Sequence, residues 1–356
     1  MTAADPTRSK ASRRKRFLVR HVPGAATITD VAREAGVSIA TVSRTINAPG
    51  RVADELRVRV ERAVKRLGYV PRGAARALAS RRTDTIGAIV PTIDNAIFAR
   101  CLAALQRRLI ESGKVLLLAS SEYDPAQETA ELAAMIARGV DGVMIVGAQH
   151  DAQLYELLER RGIPFVETWS CAAARGRPCI GFDNAAAMAR IVDYLADLGH
   201  RRIAMVAGIA THNDRAAARI AGLRAALAAH ALPPAAIVEC AYDIGAARNA
   251  ARTLLDASPR PTALVCGNDV QAFGALFAAR ELGLAIPGDV SITGFDDLHL
   301  AAHLDPPLTT VRIPSAEMGT LAADYLLARI AGRDAIARQQ LDTQLIIRAT
   351  TARPRG

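Results

Sequence analysis

From Thr85 onward, short apolar runs alternate with longer amphipathic stretches, and this rhythm limits the fold more than any other feature. TIGAIV (85–90), VLLLAS (115–120), GVMIVG (142–147), PFVETW (164–169), RIAMVAG (202–208), TALVCGND (262–269) and SITGFDD (291–297) all have strand length. Helical patterns near 97–112 and 125–138 separate the first three runs and end at Gly113 and Gly139. A strand that is apolar on both faces needs helices on both faces. The pattern therefore predicts doubly wound parallel sheets in an α/β core. The chain has 356 residues, 51% of them hydrophobic, enough for two or three domains and a large core. Ligands of such folds bind beyond the carboxyl ends of the strands, so the loops after these runs are where binding chemistry is expected.

The charge lies elsewhere. Residues 1–82 hold 19 Lys and Arg against 6 Asp and Glu, a net of +13, whereas the remainder nets −3. A concentrated basic segment is the electrostatic footprint of a phosphate-binding surface. Residues 1–25 mix Arg, Lys, Ser and Pro without period and read as a disordered basic extension. Residues 26–70 carry short helical patterns. One runs Asp30 to Ala35 and stops at Gly36, and Ser38 is placed to cap a second that runs through Ile46. Asp54 is placed to cap a third, with apolar Leu56, Val60, Ala63, Val64 and Leu67 and an end at Gly68. Two short helices around a glycine turn of about three residues make a helix-turn-helix. Ala32, Ala35, Val37, Val42 and Ile46 can form its core. Ile39, Ala40, Ser43, Arg44 and Asn47 are left facing outward or toward the helix ends. In TVSRTIN (41–47), short side chains let the backbone approach a DNA major groove, where an arginine can read guanine.

Other classes find little support. The five cysteines show no CxxC pair and no histidine at a zinc-site spacing, and reduced thiols are expected in a cytoplasmic protein. The basic N-terminus precedes no long apolar run, and VLLLA is far below a membrane span. There is no phosphate-binding GxxxxGK[ST], no strand followed by GxGxxG, and no nucleophile elbow GxSxG. His200 and His299 stand alone and read as helix-end or surface residues. Neither an enzyme nor a cofactor or metal is expected.

ITDVAREAGVSIATVSRTIN (28–47), RVADELRVRVERAVKRLGYVP (51–71) and AARALASRRTDTIGAIVP (74–91) together resemble the LacI family of bacterial transcription regulators. GHRRIAMVAG, CGND, SITGFDDLHLA and PPLTTVRIP continue the resemblance, which covers about residues 27–350. It implies a small all-α helix-turn-helix head (26–70). A hinge helix within 71–83 joins the head to an α/β core (84–356) of two doubly wound parallel-sheet subdomains, like periplasmic binding proteins. By the same resemblance Ile39, Ala40 and Arg44 read bases. Thr29, Ser38, Thr41, Ser43, Asn47 and Arg51 match positions near phosphates or base edges. Leu78, in the hinge segment 74–80, matches the leucine that wedges into the minor groove. Two heads on a two-fold homodimer would read a pseudo-palindromic operator in double-stranded DNA. The tail past Leu345 has no apolar heptad, so a dimer without a tetramerising helix is expected.

The resemblance also places a small-molecule effector between the subdomains. Asp269, at the end of CGND, is read as a ligand contact in preference to a helix cap. Asn213, Asp214, Arg215 and Arg219 follow the strand RIAMVAG, and either arginine could clamp a carboxylate. Asp94, Asn95 and Phe98 follow the first strand, with Phe98 on a sugar face or in the core. Trp169 matches a cleft wall and Tyr242 an aromatic position of the family. Asp183 is read as the cap of the helix starting at Asn184, or as part of the crossover. GIPFVETW followed by GFDN points to a sugar acid such as gluconate, with purines and neutral sugars as further classes. The expected protein is an allosteric repressor. A soluble sugar-binding protein without DNA function is the rival, and the basic head speaks against it.

Overall fold

In the computed structural model of the chain, the described residues are 26–70, 82–94, 96–171 and 176–355, and they fall into two units, 1–81 and 82–356. The hinge segment with Leu78, the basic extension and Asn95 lie outside the described residues.

The first unit has helices α1 (Ile28–Ala35), α2 (Ile39–Asn47) and α3 (Asp54–Leu67). Thr27 opens α1 with a capping box: its backbone N–H and hydroxyl donate to the Asp30 carboxylate at 2.9 and 2.6 Å, and Asp30 N–H donates back. These bonds hold Asp30 below the usual carboxylate range. Gly36 closes α1 at φ 62°, the left-handed conformation that favours glycine. Ser38 Oγ then accepts from Thr41 N–H at 3.1 Å and starts α2 as expected. Asp54 does not cap α3. The helix begins one residue earlier than the polar side chain suggests, Ala53 stands at the cap, and Asp54 pairs with Arg57 one turn on at 3.0 Å. An acid in the first turn still suits the helix dipole. Val31, Ala32, Ala35, Val42, Val60 and Ala63 form the small core, flanked by Val37, Ile46, Val64 and Leu67.

The second unit opens with β1 (Thr85–Val90), α4 (Ala99–Glu111), β2 (Val115–Ser120), α5 (Pro125–Ala137), β3 (Gly142–Val146), α6 (Ala152–Arg161), β4 (Phe165–Thr168) and β5 (Cys179–Gly181). It continues with α7 (Asn184–Asp197), β6 (Ile203–Gly208), α8 (Asp214–Ala229), β7 (Ile237–Cys240), α9 (Ile244–Leu255), β8 (Ala263–Cys266), α10 (Asp269–Glu281) and β9 (Ser291–Thr293). Last come β10 (Thr310–Arg312), α11 (Ser315–Ile330), β11 (Arg338–Gln340) and β12 (Gln344–Ile346). Two parallel sheets result, ordered β11-β5-β4-β3-β1-β2 and β7-β6-β8-β9, with an antiparallel β10–β12 pair. β11 returns to the first sheet after the whole second sheet has been built, so the two subdomains are linked by crossing strands.

Three expectations about single residues change. The cysteines are not all reduced: Cys171 and Cys179 form a disulfide, with Cα atoms 5.5 Å apart. Cys179 opens β5, which pairs with β4, and Cys171 lies three residues past the end of β4, a proximity that an eight-residue separation in sequence does not reveal. His200 is not a surface residue. It is buried at the end of α7, hydrogen-bonded to Thr262 Oγ1 and the Ala352 carbonyl at 2.9 Å each, and burial lowers its pKa. Asp269 is treated below.

Helices α7 and α8 pack closely because Gly222 has no side chain: a Cβ there would sit 2.3 Å from the Ala185 carbonyl oxygen. Gly222→Ala must push backbone away from backbone and should destabilise the second unit by about 1–3 kcal/mol. A lower urea midpoint at unchanged slope is the expected reading; an unchanged midpoint would show that the contact is soft.

Candidate functional site

The outward face of α2 carries exposed Ile39, Ala40 and Arg44, while Val42 and Thr45 on the other side are buried. Thr45 turns its hydroxyl back onto the Thr41 carbonyl at 2.9 Å, so the helix shows the solvent few hydrogen-bonding side chains of its own. Ser43 and Thr41 are half-buried; Thr29, Ser38 and Arg51 are exposed at the ends of their elements. The side chain of Asn47 lies outside the described residues. A small helical face with one long cation near its C-terminal end fits the geometry of major-groove reading.

In the second unit, the ends of β1, β4, β6, β8 and β9 converge. Arg219, buried on α8, is the centre of the convergence. Its Nε donates to Asn184 Oδ1 at 2.9 Å and its Nη1 to the Gly267 carbonyl at 2.6 Å. Its guanidinium lies 3.9 Å from the centroid of the Phe295 ring, and Nη2 is 3.9 Å from Asp296 Oδ1. Asn184 passes the link onward by donating to the Trp169 carbonyl at 2.8 Å. Trp169 adopts φ 64° and stands edge-on to Phe98, centroids 4.9 Å apart. Buried polar atoms gather here without hydrogen-bond partners among the described residues: Trp169 Nε1, Asn268 Nδ2 and both oxygens of Asp296. Buried polar groups are normally paired, so such a cluster is what a hydrogen-bonding ligand would satisfy.

Asp296 and Asp297 are adjacent but pushed in opposite directions. Burial raises Asp296 from 3.8 to about 7, against the pull of Arg219. Burial also opposes ionisation of Asp297, but Arg348 at 2.6 Å and Arg312 at 2.7 Å prevail and hold it below the usual range. Both residues have positive φ, 106° and 53°, conformations that cost free energy and are held by the surrounding structure. Asp269 does not cap α10. Asn268 caps that helix by accepting from Gln271 N–H, and Asp269 accepts from the Thr310 hydroxyl and Leu298 N–H at 2.6 Å each. Burial, with Asp296 beside it, raises its pKa well above the ordinary value.

A cavity of about 360 Å³ is lined among others by Asp94, Glu122, Tyr123, Asn213, Tyr242 and Asp243; its Tyr123 lies within the electrostatic reach of Arg219 and Asp296. Tyr123 and Tyr242 face each other at 6.0 Å, and Asn213 Nδ2 donates to the Tyr242 hydroxyl at 3.2 Å. Burial raises the Tyr123 phenol, while the nearby Arg215 and Arg219 pull the other way. Asp214 and Arg215 tie the start of α8 to the end of β3. Arg215 Nη1 donates to the Val146 carbonyl at 3.3 Å and to Asp214 at 2.7 Å, and Ala148 N–H donates to Asp214 at 3.0 Å. Asp183 caps α7 through Ala186 N–H. The structure thus links Phe98, Trp169 and Arg219 to one another and sets Asp94, Asn213 and Tyr242 around the cavity. Asn184, Asn268, Asp296 and Tyr123 join them without having been singled out in the sequence. Asp296 stood in the quoted run SITGFDD, directly after a strand, which was the available signal.

The chain matches the model for bacterial regulatory proteins of the lacI family over residues 27–72 and that for a periplasmic binding protein-like domain over residues 192–351. It is 36% identical over 313 residues to the HTH-type transcriptional repressor PurR of Klebsiella pneumoniae, covering 86% of this chain and 91% of that protein. Among solved structures it is similar to the lac repressor dimer bound to operator and the anti-inducer ONPF, at TM-score 0.83 and 27% identity, over 92% of this chain and 99% of the other. It is also similar to the transcription regulator GntR from Chromobacterium violaceum, at TM-score 0.71 and 32% identity, over 75% of this chain and 99% of the other.

Asp296 gives the site a pH signature. The folded chain keeps the Asp296 proton up to about pH 7, whereas the unfolded chain loses it near 3.8. This stabilising contribution is complete below the unfolded value and is lost as pH rises through the folded one. Asp296→Asn removes the titration, so the variant should be more stable than the parent above about pH 7, with the gap closing toward about pH 4. Urea denaturation across that range reads the difference; parallel pH curves would contradict the assignment.

Proposed function

The chain belongs to the LacI family of bacterial regulatory proteins, and from that premise we propose a specific division of labour for its two units. It is a DNA-binding transcriptional repressor with an effector domain. As a homodimer it reads a pseudo-palindromic operator in the cytoplasm through Ile39, Ala40 and Arg44, with Thr29, Ser38, Thr41, Ser43, Asn47 and Arg51 at phosphates or base edges. Leu78 enters the minor groove. The small exposed face of α2 on a strongly basic head is the observation that carries this reading. The effector sits on the floor formed by Trp169, Asn268, Arg219 and Asp296, and its binding is coupled to operator affinity reciprocally.

The chemistry of the cleft favours a neutral, hydroxyl-rich ligand, a sugar, over the sugar acid for which Arg215 or Arg219 would act as clamp. Arg215 already serves Val146 and Asp214, and Arg219 serves Asn184 and Gly267. The acids Asp94, Glu122 and Asp243 line the opening and would oppose an anion. Sugar hydroxyls both donate and accept, so one ligand can satisfy the Asp296 oxygens together with Asn268 Nδ2 and Trp169 Nε1.

Base reading and phosphate contact are separable by experiment. With an operator selected from random duplexes, Arg44→Ala should cost about 1–3 kcal/mol and relax preference at one position of each half-site. Equal loss on every sequence would mean that Arg44 only holds phosphate. Removing residues 1–25 should reduce the dependence of binding on salt if they touch phosphates, and an unchanged slope would show them passive.

A further inference from the structure

Cys171 lies two residues beyond Trp169 and Cys179 is the first residue of β5, and the disulfide between them joins the segment that follows β4 to the start of the neighbouring strand. We propose that this pair is a reversible thiol-oxidation site, modified by low-molecular-weight disulfides such as glutathione disulfide, and that its state sets how firmly the Trp169 wall of the cleft is held. The consequence for the effector rests on the reading of that cleft given above; the modification itself does not.

Exposure assigns the two roles. Cys171 is half-buried, whereas Cys179 is 2% exposed. The Cys171 thiolate attacks one sulfur of the small disulfide, forms a mixed disulfide and releases one small thiolate. The Cys179 thiolate then attacks the Cys171 sulfur and expels the second. Two protein thiols are oxidised and one small disulfide is reduced to two thiols, so electrons and atoms balance. Of the other cysteines, Cys101 and Cys266 are buried, and burial raises both thiols; Cys240 is half-buried and serves as the control below.

A short covalent route leads from the bridge to the floor of the cleft. Cys179 is fixed at both sides, pairing with β4 through Glu167 and donating its N–H to the Ala337 carbonyl at 2.7 Å. Ser170 packs its backbone on Gly181 so closely that a Cβ there would meet Ser170 N at 2.7 Å. Trp169, next in line, holds its left-handed conformation with its N–H toward Met318 Sδ at 3.1 Å and its carbonyl on Asn184. Asn184 in turn holds Arg219. Opening the bridge frees residue 171 from β5 and leaves Trp169 held by these contacts and its packing on Phe98.

The test uses the full chain, with Trp169, the single tryptophan, as reporter. The protein is equilibrated in glutathione buffers from fully reduced to fully oxidised. Intact mass follows the bond, and Trp169 emission with acrylamide quenching follows the wall. The proposal expects the oxidised chain to lose a pair of hydrogen atoms, shift its emission to the blue and resist quenching, all reversed by dithiothreitol. Cys171→Ser should abolish every change, and Cys240→Ser should leave them intact. Should Cys171→Ser fail to fold, iodoacetamide trapping and peptide mapping of the parent chain locate the reacting thiols instead. The proposal is overturned if no bond forms in any buffer, if other cysteines pair, or if the bond forms with emission and quenching unchanged. None of these readouts involves an effector or DNA, so failure of the effector reading would leave them standing.

Discussion

The buried cation Arg219 organises the ligand domain. An unpaired guanidinium at the depth of Arg219 would cost several kcal/mol. Its surroundings are therefore constrained on every side: Asn184 at the start of α7, the Gly267 carbonyl after β8, the Phe295 ring and the Asp296 carboxylate after β9. These groups come from both sheets and from a crossing between them. The same requirement accounts for the close α7–α8 packing at Gly222, because α7 carries Asn184 and α8 carries Arg219.

Around this cation, neighbouring carboxylates divide their work by environment. Asp297 is locked by two arginines, Asp269 is turned inward onto Thr310 and Leu298, and Asp296, 3.9 Å from Arg219, keeps both oxygens without a hydrogen-bond partner among the described residues. Only Asp296 is in a position to gain much from a hydrogen-bond donor supplied by a ligand.

The architecture was largely legible in the chain because strand and helix periodicities are local. Every apolar run from TIGAIV to SITGFDD became a strand, though TALVCGND shortened to Ala263–Cys266 and SITGFDD to Ser291–Thr293. The polar ends of both runs turned into the functional loops. The three-residue strands β5, β10, β11 and β12 escaped because they are too short for a period to appear. The head was read closely, apart from the start of α1, two residues before Asp30, and the cap of α3. The site was harder. In CGND, the sequence leaves Asp269 as a ligand contact or a helix cap; the structure gives the cap to Asn268 and ties Asp269 to Thr310 and Leu298. Choosing between adjacent polar residues after a strand needs the tertiary partners, here Thr310 and Leu298. Arg215 and Arg219 likewise looked available until Val146, Asp214, Asn184 and Gly267 engaged them. The proximity of Cys171 to Cys179 depends on strand order, which spacing alone does not encode.

The central claim is that one chain joins operator reading to ligand sensing. Its most direct test is fluorescence anisotropy against the DNA upstream of its own gene and neighbouring genes, with and without sugars, sugar acids and purines. The account predicts tight, salt-sensitive binding that one compound shifts, and an equal shift of that compound's affinity by the DNA. Specific DNA binding absent under every condition, with a compound still bound, would contradict it and leave a sugar-binding protein.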